Sequence, residues 1–346
     1  MTIESLVRPN IAAMKPYSSA RNEFTGEASV FLDANENPFG APLNRYPDPL
    51  QQELKRKIAA MTGVGGTDRI FLGNGSDEAI DLIFRIFCEP GQDNVVAIEP
   101  SYGMYAVCAE VNHVAYRPVL LNADFSLDAD RLLEAADEHT KAIFLCSPNN
   151  PTGNLLTLDQ VLTVLDAFPC IVVVDEAYID FADASSLLGR LDQYPHLIIL
   201  RTFSKAWGHA AIRLGMAFSS PEVIAYFNKV KYPYNVNHLT QQCALDLLAD
   251  GEANYVAEVA LIKEQRRWLE EQLPHVGCVR KVYPSDANFI LVEVDDADRR
   301  YLELRDAGII VRNRSRVALC TGCLRITVGT PEENRRLIAR LKEVSL

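Results

Sequence analysis

Apolar and polar positions along this chain fall into blocks whose spacing switches repeatedly between helix and strand. QQELKRKIAAM at 51–61 repeats apolar residues at helical spacing and stops at Gly63 and the Gly65–Gly66 pair, which predicts a helix. IFLGN then reads as a short strand, its glycines as a turn, and 76–87 as an amphipathic helix. DNVVAIEP, AYRPVLL, the apolar run around 142–146, CIVVVDEAY, LIILRTFSKAWG and LGMAFSS are further strands, with helices predicted over 102–111 and 157–168. The most hydrophobic of these strands, CIVVVDEAY, should be central in its sheet. Short apolar strands interleaved with helices specify an α/β unit with a largely parallel sheet.

The pattern changes after about residue 232. Residues 241–273 are nearly all helical, with one break near Gly251. Shorter extended runs follow, ANFILVEV and CLRITVG, and then a final helix, PEENRRLIARLKEV. The expected organisation is an N-terminal arm over 1–30, a large α/β domain over 31–232 and a small α+β domain over 233–346, joined by the arm. Pro9 and Pro16 would interrupt any long helix in the arm. A ligand is expected in the crevice at the carboxyl ends of the large sheet's strands.

Composition narrows the function classes. Hydrophobic residues make up 48% of the 346 and charged residues 23%, enough for a sizeable core. The net charge is -12, from 46 acidic and 34 basic residues, which argues against a nucleic-acid partner. It leaves room for anionic small molecules, because a few convergent arginines reverse the local potential. The start, MTIESLVRPN, lacks the charged-then-apolar pattern of a leader, and no apolar run approaches bilayer length. A cytoplasmic protein without a membrane partner is therefore expected. Of the eight cysteines only Cys320 and Cys323 have redox or metal spacing, and they lack further ligands. They are expected to be core or near-core thiols, with no metal bound.

Chemistry concentrates at strand ends. Lys205 follows the apolar run LIILR, where an ammonium is costly to bury unless it is paired or reacts. Beside an aldehyde it can form an imine; otherwise it is a surface lysine at a strand end. Arg213, eight residues on, is a cation suited to a phosphate or to an ordinary ion pair. Asp175 closes IVVVD and needs a partner there, either a protonated ring nitrogen or a structural arginine. Tyr178 could reach a phenolic oxygen of such a ring or be a core tyrosine. Gly73-Asn74-Gly75-Ser76-Asp77 joins a strand to a helix start, where Ser76 can cap and free amides suit a phosphate. The charge of Asp77 would repel that phosphate unless it points away or caps the helix. Asn149-Asn150-Pro151-Thr152-Gly153 is a turn by composition that falls on the crevice side. Together these groups match what pyridoxal phosphate needs: a nucleophile, an acid for the ring nitrogen, and donors for phenolate and phosphate.

DANENPFG at 33–40, YPDP at 46–49, GNGSDEAI at 73–80, SPNNPTG at 147–153, VVDEAY at 173–178, TFSKAWG at 202–208, Arg213-Leu-Gly, GIIVR and GCLRITVG span nearly the whole chain in order. By these motifs the chain resembles the fold-type I, aspartate-aminotransferase-like pyridoxal-phosphate enzymes, and within them the histidinol-phosphate aminotransferases. The resemblance implies a large domain with a mostly parallel seven-stranded sheet between helices, plus a smaller α+β domain. It implies that Lys205 holds the cofactor, Asp175 pairs with its ring nitrogen, Tyr178 and Asn150 bond its 3'-oxygen, and Tyr102 stacks on its ring. Ser76, Asp77, Ser204 and Arg213 would hold its phosphate. It further implies a homodimer with shared sites, in which Tyr46 reaches the neighbour's cofactor phosphate. Tyr17, Arg312 and Arg325 match substrate-binding positions, as does Asn35. The implied reaction exchanges an amino group between L-histidinol phosphate and 2-oxoglutarate, in L-histidine biosynthesis. The lysine region and NNPTG are shared broadly in the superfamily, while DANENP, YPDP and GCLRITVG point more narrowly to this branch. The alternative is an aromatic or other amino-acid aminotransferase, or a decarboxylase of a phosphorylated amino acid, of the same family. The segment KYPYNVNHLTQQ at 231–242 differs from the family's commoner wording.

Overall fold

The computed structural model describes residues 2–17, 29–250 and 252–344. Its larger sheet contains β1 Ile70–Asn74, β2 Asn94–Glu99, β3 Ala115–Leu120, β4 Thr140–Cys146, β5 Ile171–Asp175, β6 Leu197–Thr202 and β7 Leu214–Phe218. The order is β1-β7-β6-β5-β4-β2-β3. β7 runs antiparallel to both its neighbours, while the pairs β2–β3, β2–β4, β4–β5 and β5–β6 are parallel. Every residue of the central β5 is buried. Val172 and Val174 join Ile143, Leu145 and Ile199 on one face, and Ile171 and Val173 join Phe144 and Ile198 on the other. With both faces covered, the strand reads as a continuous apolar run with no alternation.

The helices that wrap this sheet stop and start where the chain supplies the chemistry. α1 spans Pro9–Ala13, α2 Gln52–Thr62, α3 Ser76–Phe87, α4 Met104–Val111, α5 Ala129–Glu134, α6 Leu158–Ala167 and α7 Pro221–Val230. α2 ends at Gly63, whose φ of 72° lets its N–H turn back to the Ala59 carbonyl. Thr157 and Gln160 form a reciprocal capping box at the start of α6. α8 His238–Asp250 and α9 Glu252–Gln272 follow. The break expected at Gly251 falls on a residue outside those described.

A second, antiparallel sheet is formed by β8 Val279–Val282, β9 Phe289–Val294, β10 Arg312–Asn313 and β11 Cys323–Thr327, in the order β10-β11-β9-β8. α10 Ala297–Asp306 and α11 Pro331–Glu343 pack on it. Leu304, Leu337, Ile338 and Leu341 meet Ile290, Val292 and Leu324 in its core. α11 opens with a capping box from Thr330 and Glu333 and with Pro331 at its first turn.

Two local expectations change. The helix expected to start at Tyr102 starts at Met104, which leaves Tyr102 in a loop at the strand ends. Pro9 begins a short helix instead of interrupting one, because its missing N–H costs nothing at the first position. β8 and α10 were not legible: VRKV has no fully buried residue, and ADRRYLELRD buries only Ala297, Arg300 and Leu304. Cys320 and Cys323 are buried, and burial pushes their thiols up to about 11 and about 12, the behaviour of inert core cysteines. Among the described residues, no helix is long and apolar enough to cross a membrane.

Candidate active site

The carboxyl ends of β5 and β6 open into a cavity of about 730 Å3 whose wall includes Ser76, Tyr102, Asn150, Asp175, Lys205 and Arg325. Asp175 is its most buried acid, 3% exposed, because the apolar run before it carries the chain through the middle of the sheet. Its Oδ2 accepts from the Tyr105 hydroxyl at 2.8 Å and its Oδ1 from the Ala177 N–H at 3.1 Å. Burial raises its pKa to about 6, and these two donors hold it from rising further. Among the described residues no arginine pairs with it, so the structural-arginine alternative is set aside.

Lys205 sits in the turn after β6, half-buried. Its amine makes no hydrogen bond or ion pair among the described residues and lies 5.4 Å from the centre of the Tyr178 ring. Burial lowers its pKa and the Arg325 charge lowers it further. An amine with a weakened hold on its proton and no competing partner is available as a nucleophile or base. Tyr178 is buried, and its hydroxyl accepts from Asn150 Nδ2 at 3.5 Å. Tyr102 stands edge-on to Tyr105, ring centres 5.7 Å apart, and donates to Asp77 at 3.0 Å.

The turn between β1 and α3 forms the corner beside Lys205. Gly75, with φ 74°, takes the N-cap position that Ser76 was expected to fill, and Ser76 is the first helical residue. Gly75 N–H donates to the Arg213 carbonyl at 2.8 Å, and a Cβ there would stand 2.7 Å from Arg213 Nη2. Only glycine permits both the left-handed backbone and this approach. Arg213 Nη1 donates to Ser204 Oγ at 3.4 Å, and Nη2 lies 3.6 Å from Asp77 Oδ2. Asp77 is thus engaged by a cation and a phenol, which answers the repulsion its charge would otherwise bring to an anion. First-turn amides of α3, Ser204 and Arg213 together make an anion-binding corner.

Opposite lies a wall of guanidinium groups. Arg312 of β10 is the direct cross-strand partner of Arg325 of β11. Like charges at such positions destabilise a sheet unless something anionic joins them. Arg325 donates to Asn150 Oδ1, lies 5.2 Å from the Phe289 ring centre and keeps a buried Nε without a partner. Arg314, which sequence reasoning missed, lines the same cavity and also has a buried Nε with no partner. Burial lowers its pKa, with Arg325 and Arg312 adding to the effect. Its signal was available: it stands two residues from Arg312, on the loop leaving β10. Tyr105 was missed as well, being three residues past Tyr102 on the buried side of a short helix.

Three expected site residues lie elsewhere in this chain. Tyr46 and Asn35 line a separate cavity of about 540 Å3 with Tyr234 and His238. Tyr46 stacks on Tyr234, centres 4.4 Å apart, and is half exposed. Tyr17 is 70% exposed, beside Pro49, Lys231 and Pro233.

Comparisons with known proteins show the family. The family model for aminotransferase class I and II matches residues 22–341. A histidinol-phosphate aminotransferase of Bacteroides fragilis is 58% identical over 345 residues, covering 99% of each chain. Among solved structures, histidinol-phosphate aminotransferase from Clostridium acetobutylicum superposes with a TM-score of 0.80 at 25% identity, covering 88% of this chain and 91% of that one. The Sinorhizobium meliloti histidinol-phosphate aminotransferase, solved in complex with pyridoxal-5'-phosphate, gives 0.79 at 26% identity, covering 90% and 89%. The chain therefore belongs to the class I and II aminotransferases, in their histidinol-phosphate aminotransferase branch.

Proposed function

We propose that this chain is a pyridoxal 5'-phosphate-dependent transaminase that interconverts L-histidinol phosphate plus 2-oxoglutarate with imidazole-acetol phosphate plus L-glutamate, in L-histidine biosynthesis. The observation that carries the reading is that Lys205 and Asp175 share one cavity with the like-charged cross-strand pair Arg312 and Arg325. The residues present fit the cofactor: Asp175 is a buried carboxylate with no cation paired to it among the described residues, and the corner around Gly75 is closed to a Cβ by Arg213.

When bound, the cofactor supplies an aldehyde that takes up the substrate nitrogen and a ring that accepts the electrons left when Cα loses its proton. Asp175 keeps a proton on the ring nitrogen, where its charge is worth most because water is excluded. Lys205 would hold the cofactor through its amine and, once that amine is free, would serve as the base that moves the substrate Cα proton. Tyr178 and Asn150 would donate to the 3'-oxygen, and Tyr102 would cover the ring. The first-turn amides of Ser76 and Asp77, with Ser204 and Arg213, would hold the phosphate. Arg312 and Arg325 bind the oxyanion that each substrate carries, since a guanidinium fork accepts a phosphate or a carboxylate equally well.

Tyr46, Tyr17 and Asn35 take part across a homodimer interface in this reading, with Tyr46 reaching the partner's cofactor phosphate. Its support is that the segment carrying Tyr46 also exposes Val30, Leu32, Phe39 and Leu43, the last two at 92% and 56%. The test of the reaction is incubation with L-histidinol phosphate and 2-oxoglutarate in the presence of the cofactor. Stoichiometric L-glutamate is the expected product. Release of carbon dioxide, or no glutamate, overturns the assignment.

A further inference from the structure

Glu99 is the one carboxylate lining the main cavity that makes no hydrogen bond or ion pair among the described residues. Asp77 is held by Tyr102 and Arg213, and Asp175 by Tyr105 and the Ala177 amide. Glu99 ends β2, half-buried, and burial raises its pKa. A carboxyl group taken out of water without a partner is a cost to the fold, and a ligand that supplies a donor removes it.

Tyr116 of β3 lines the same cavity, and its hydroxyl has no hydrogen-bond partner among the described residues. β2 and β3 are parallel with Val95 opposite Tyr116 and Glu99 opposite Leu120. Odd-numbered residues of β2 therefore share a face with Tyr116. Val95 and Ala97 of that face belong to the core that Tyr116 packs against. The phenol is close enough to the carboxylate for the charge of Glu99, after burial, to raise its pKa. One wall of the cavity thus offers an unsatisfied acceptor and an unsatisfied donor on the same face of the sheet.

The proposed substrates differ in how they meet this pair. L-Glutamate and 2-oxoglutarate carry a side-chain carboxylate, which donates nothing and which Glu99 repels. Histidinol phosphate carries an imidazole, with one N–H to donate and one nitrogen lone pair to accept. We infer that Glu99 and Tyr116 form the subsite that recognises the imidazole ring: Glu99 accepts its N–H and the Tyr116 hydroxyl donates to its other nitrogen. This inference rests on the proposed reaction and adds the residues that set its ring specificity. A phenyl ring of similar size has neither group, so discrimination comes from the two polar side chains left unpaired when it binds.

The experiment is equilibrium titration of the holoenzyme with two unreactive probes, imidazolylpropyl phosphate and phenylpropyl phosphate. The wild type is expected to bind the imidazole probe about tenfold to a hundredfold more tightly. Glu99→Gln, which keeps the volume, and Tyr116→Phe should each reduce that preference by about tenfold, with the phenyl probe changed by less than about threefold. Loss of affinity for both probes alike overturns the subsite and points to a structural role, as does an unchanged preference in both variants. If either variant fails to fold, the other decides. Wild-type enzyme that transfers no amine from histidinol phosphate refutes the proposed reaction itself. Turnover of histidinol phosphate together with an unaltered ring preference in the variants refutes this subsite alone.

Discussion

Tyr105 donates its phenolic hydrogen to Asp175 Oδ2 at 2.8 Å, across the 70 residues that separate them in sequence. The bond favours the ionised carboxylate in a site where burial works against it. Tyr105→Phe removes that donor and leaves burial unopposed on one oxygen, so the pKa of Asp175 should rise further. The acidic limb of the kcat/KM profile should then move to higher pH by roughly 0.5–1 unit. A profile superimposable on the wild type would show that Asp175 does not control that limb.

Asp175 also gives the cofactor-free chain a pH dependence of definite sign. Its folded value of about 6 lies above the ordinary 3.8, so the folded state holds the proton more tightly than the unfolded one. The contribution to stability is complete below about pH 4 and is lost as pH rises through about 6. Asp175→Asn carries no charge and lacks this loss. Between pH 5 and pH 8 the wild-type apoprotein should fall relative to the variant by about 1–2 kcal/mol in urea unfolding. A constant difference across that range contradicts the assigned burial of the charge.

Gly75→Ala tests the anion-binding corner. The substitution puts a Cβ at a residue with φ 74° and 2.7 Å from Arg213 Nη2. A left-handed non-glycine residue costs about 1–3 kcal/mol, and the displaced guanidinium would leave Ser204 and Asp77 as well. Cofactor retention measured by dialysis should weaken by about tenfold, more than the loss of thermal stability alone predicts. Unchanged retention would move the phosphate site elsewhere.

Tyr46 bears on the proposed dimer. Its ring is held against Tyr234, and its N–H donates to Glu36 Oε1 at 2.7 Å, so the loop is ordered within one chain while the ring stays half exposed. Tyr46→Phe should lower cofactor retention several-fold in a protein that sediments as a dimer. A fully active monomer at assay concentration rules out the shared site.

How much of this was legible depended on whether a residue's role is local. IVVVD announced a central strand and placed Asp175 at its end, because burial on both faces leaves a continuous apolar run. GNGS announced a strand-to-helix turn because glycine is demanded by backbone geometry at Gly75. Tyr105 gave no such sign: its bond to Asp175 depends on the packing of α4 over β5, and sequence spacing does not encode that. Arg314 and Glu99 were hidden for the same reason, each reading as an ordinary polar residue beside a strand. The structure adds Tyr46's stacking on Tyr234, which gives the unusual 231–242 segment a role in supporting the loop that carries Tyr46. β8 and α10 escaped notice because both are too polar to show periodicity.

Arg325 and Arg312 face each other across β10 and β11 but differ in how they are held. Arg325 is half-buried, bonded to Asn150 and packed over Phe289, so its fork is oriented before substrate arrives. Arg312 is exposed and makes no side-chain hydrogen bond or ion pair among the described residues, and it faces only the like charge of its cross-strand neighbour. Arg325→Lys loses the planar fork and the bond to Asn150 together, and should impair both half-reactions by about tenfold to a hundredfold in kcat/KM. Arg312→Ala removes a second cation and relieves repulsion on Arg325. A phosphate dianion gains more from that second cation than a carboxylate does, so the histidinol-phosphate half should suffer more than the glutamate half. Single-turnover kinetics of each half, read from the visible absorbance of the bound cofactor, separate the two effects. Equal and near-wild-type rates in both variants would remove these arginines from the substrate site, and a loss confined to thermal stability would leave them only a structural part.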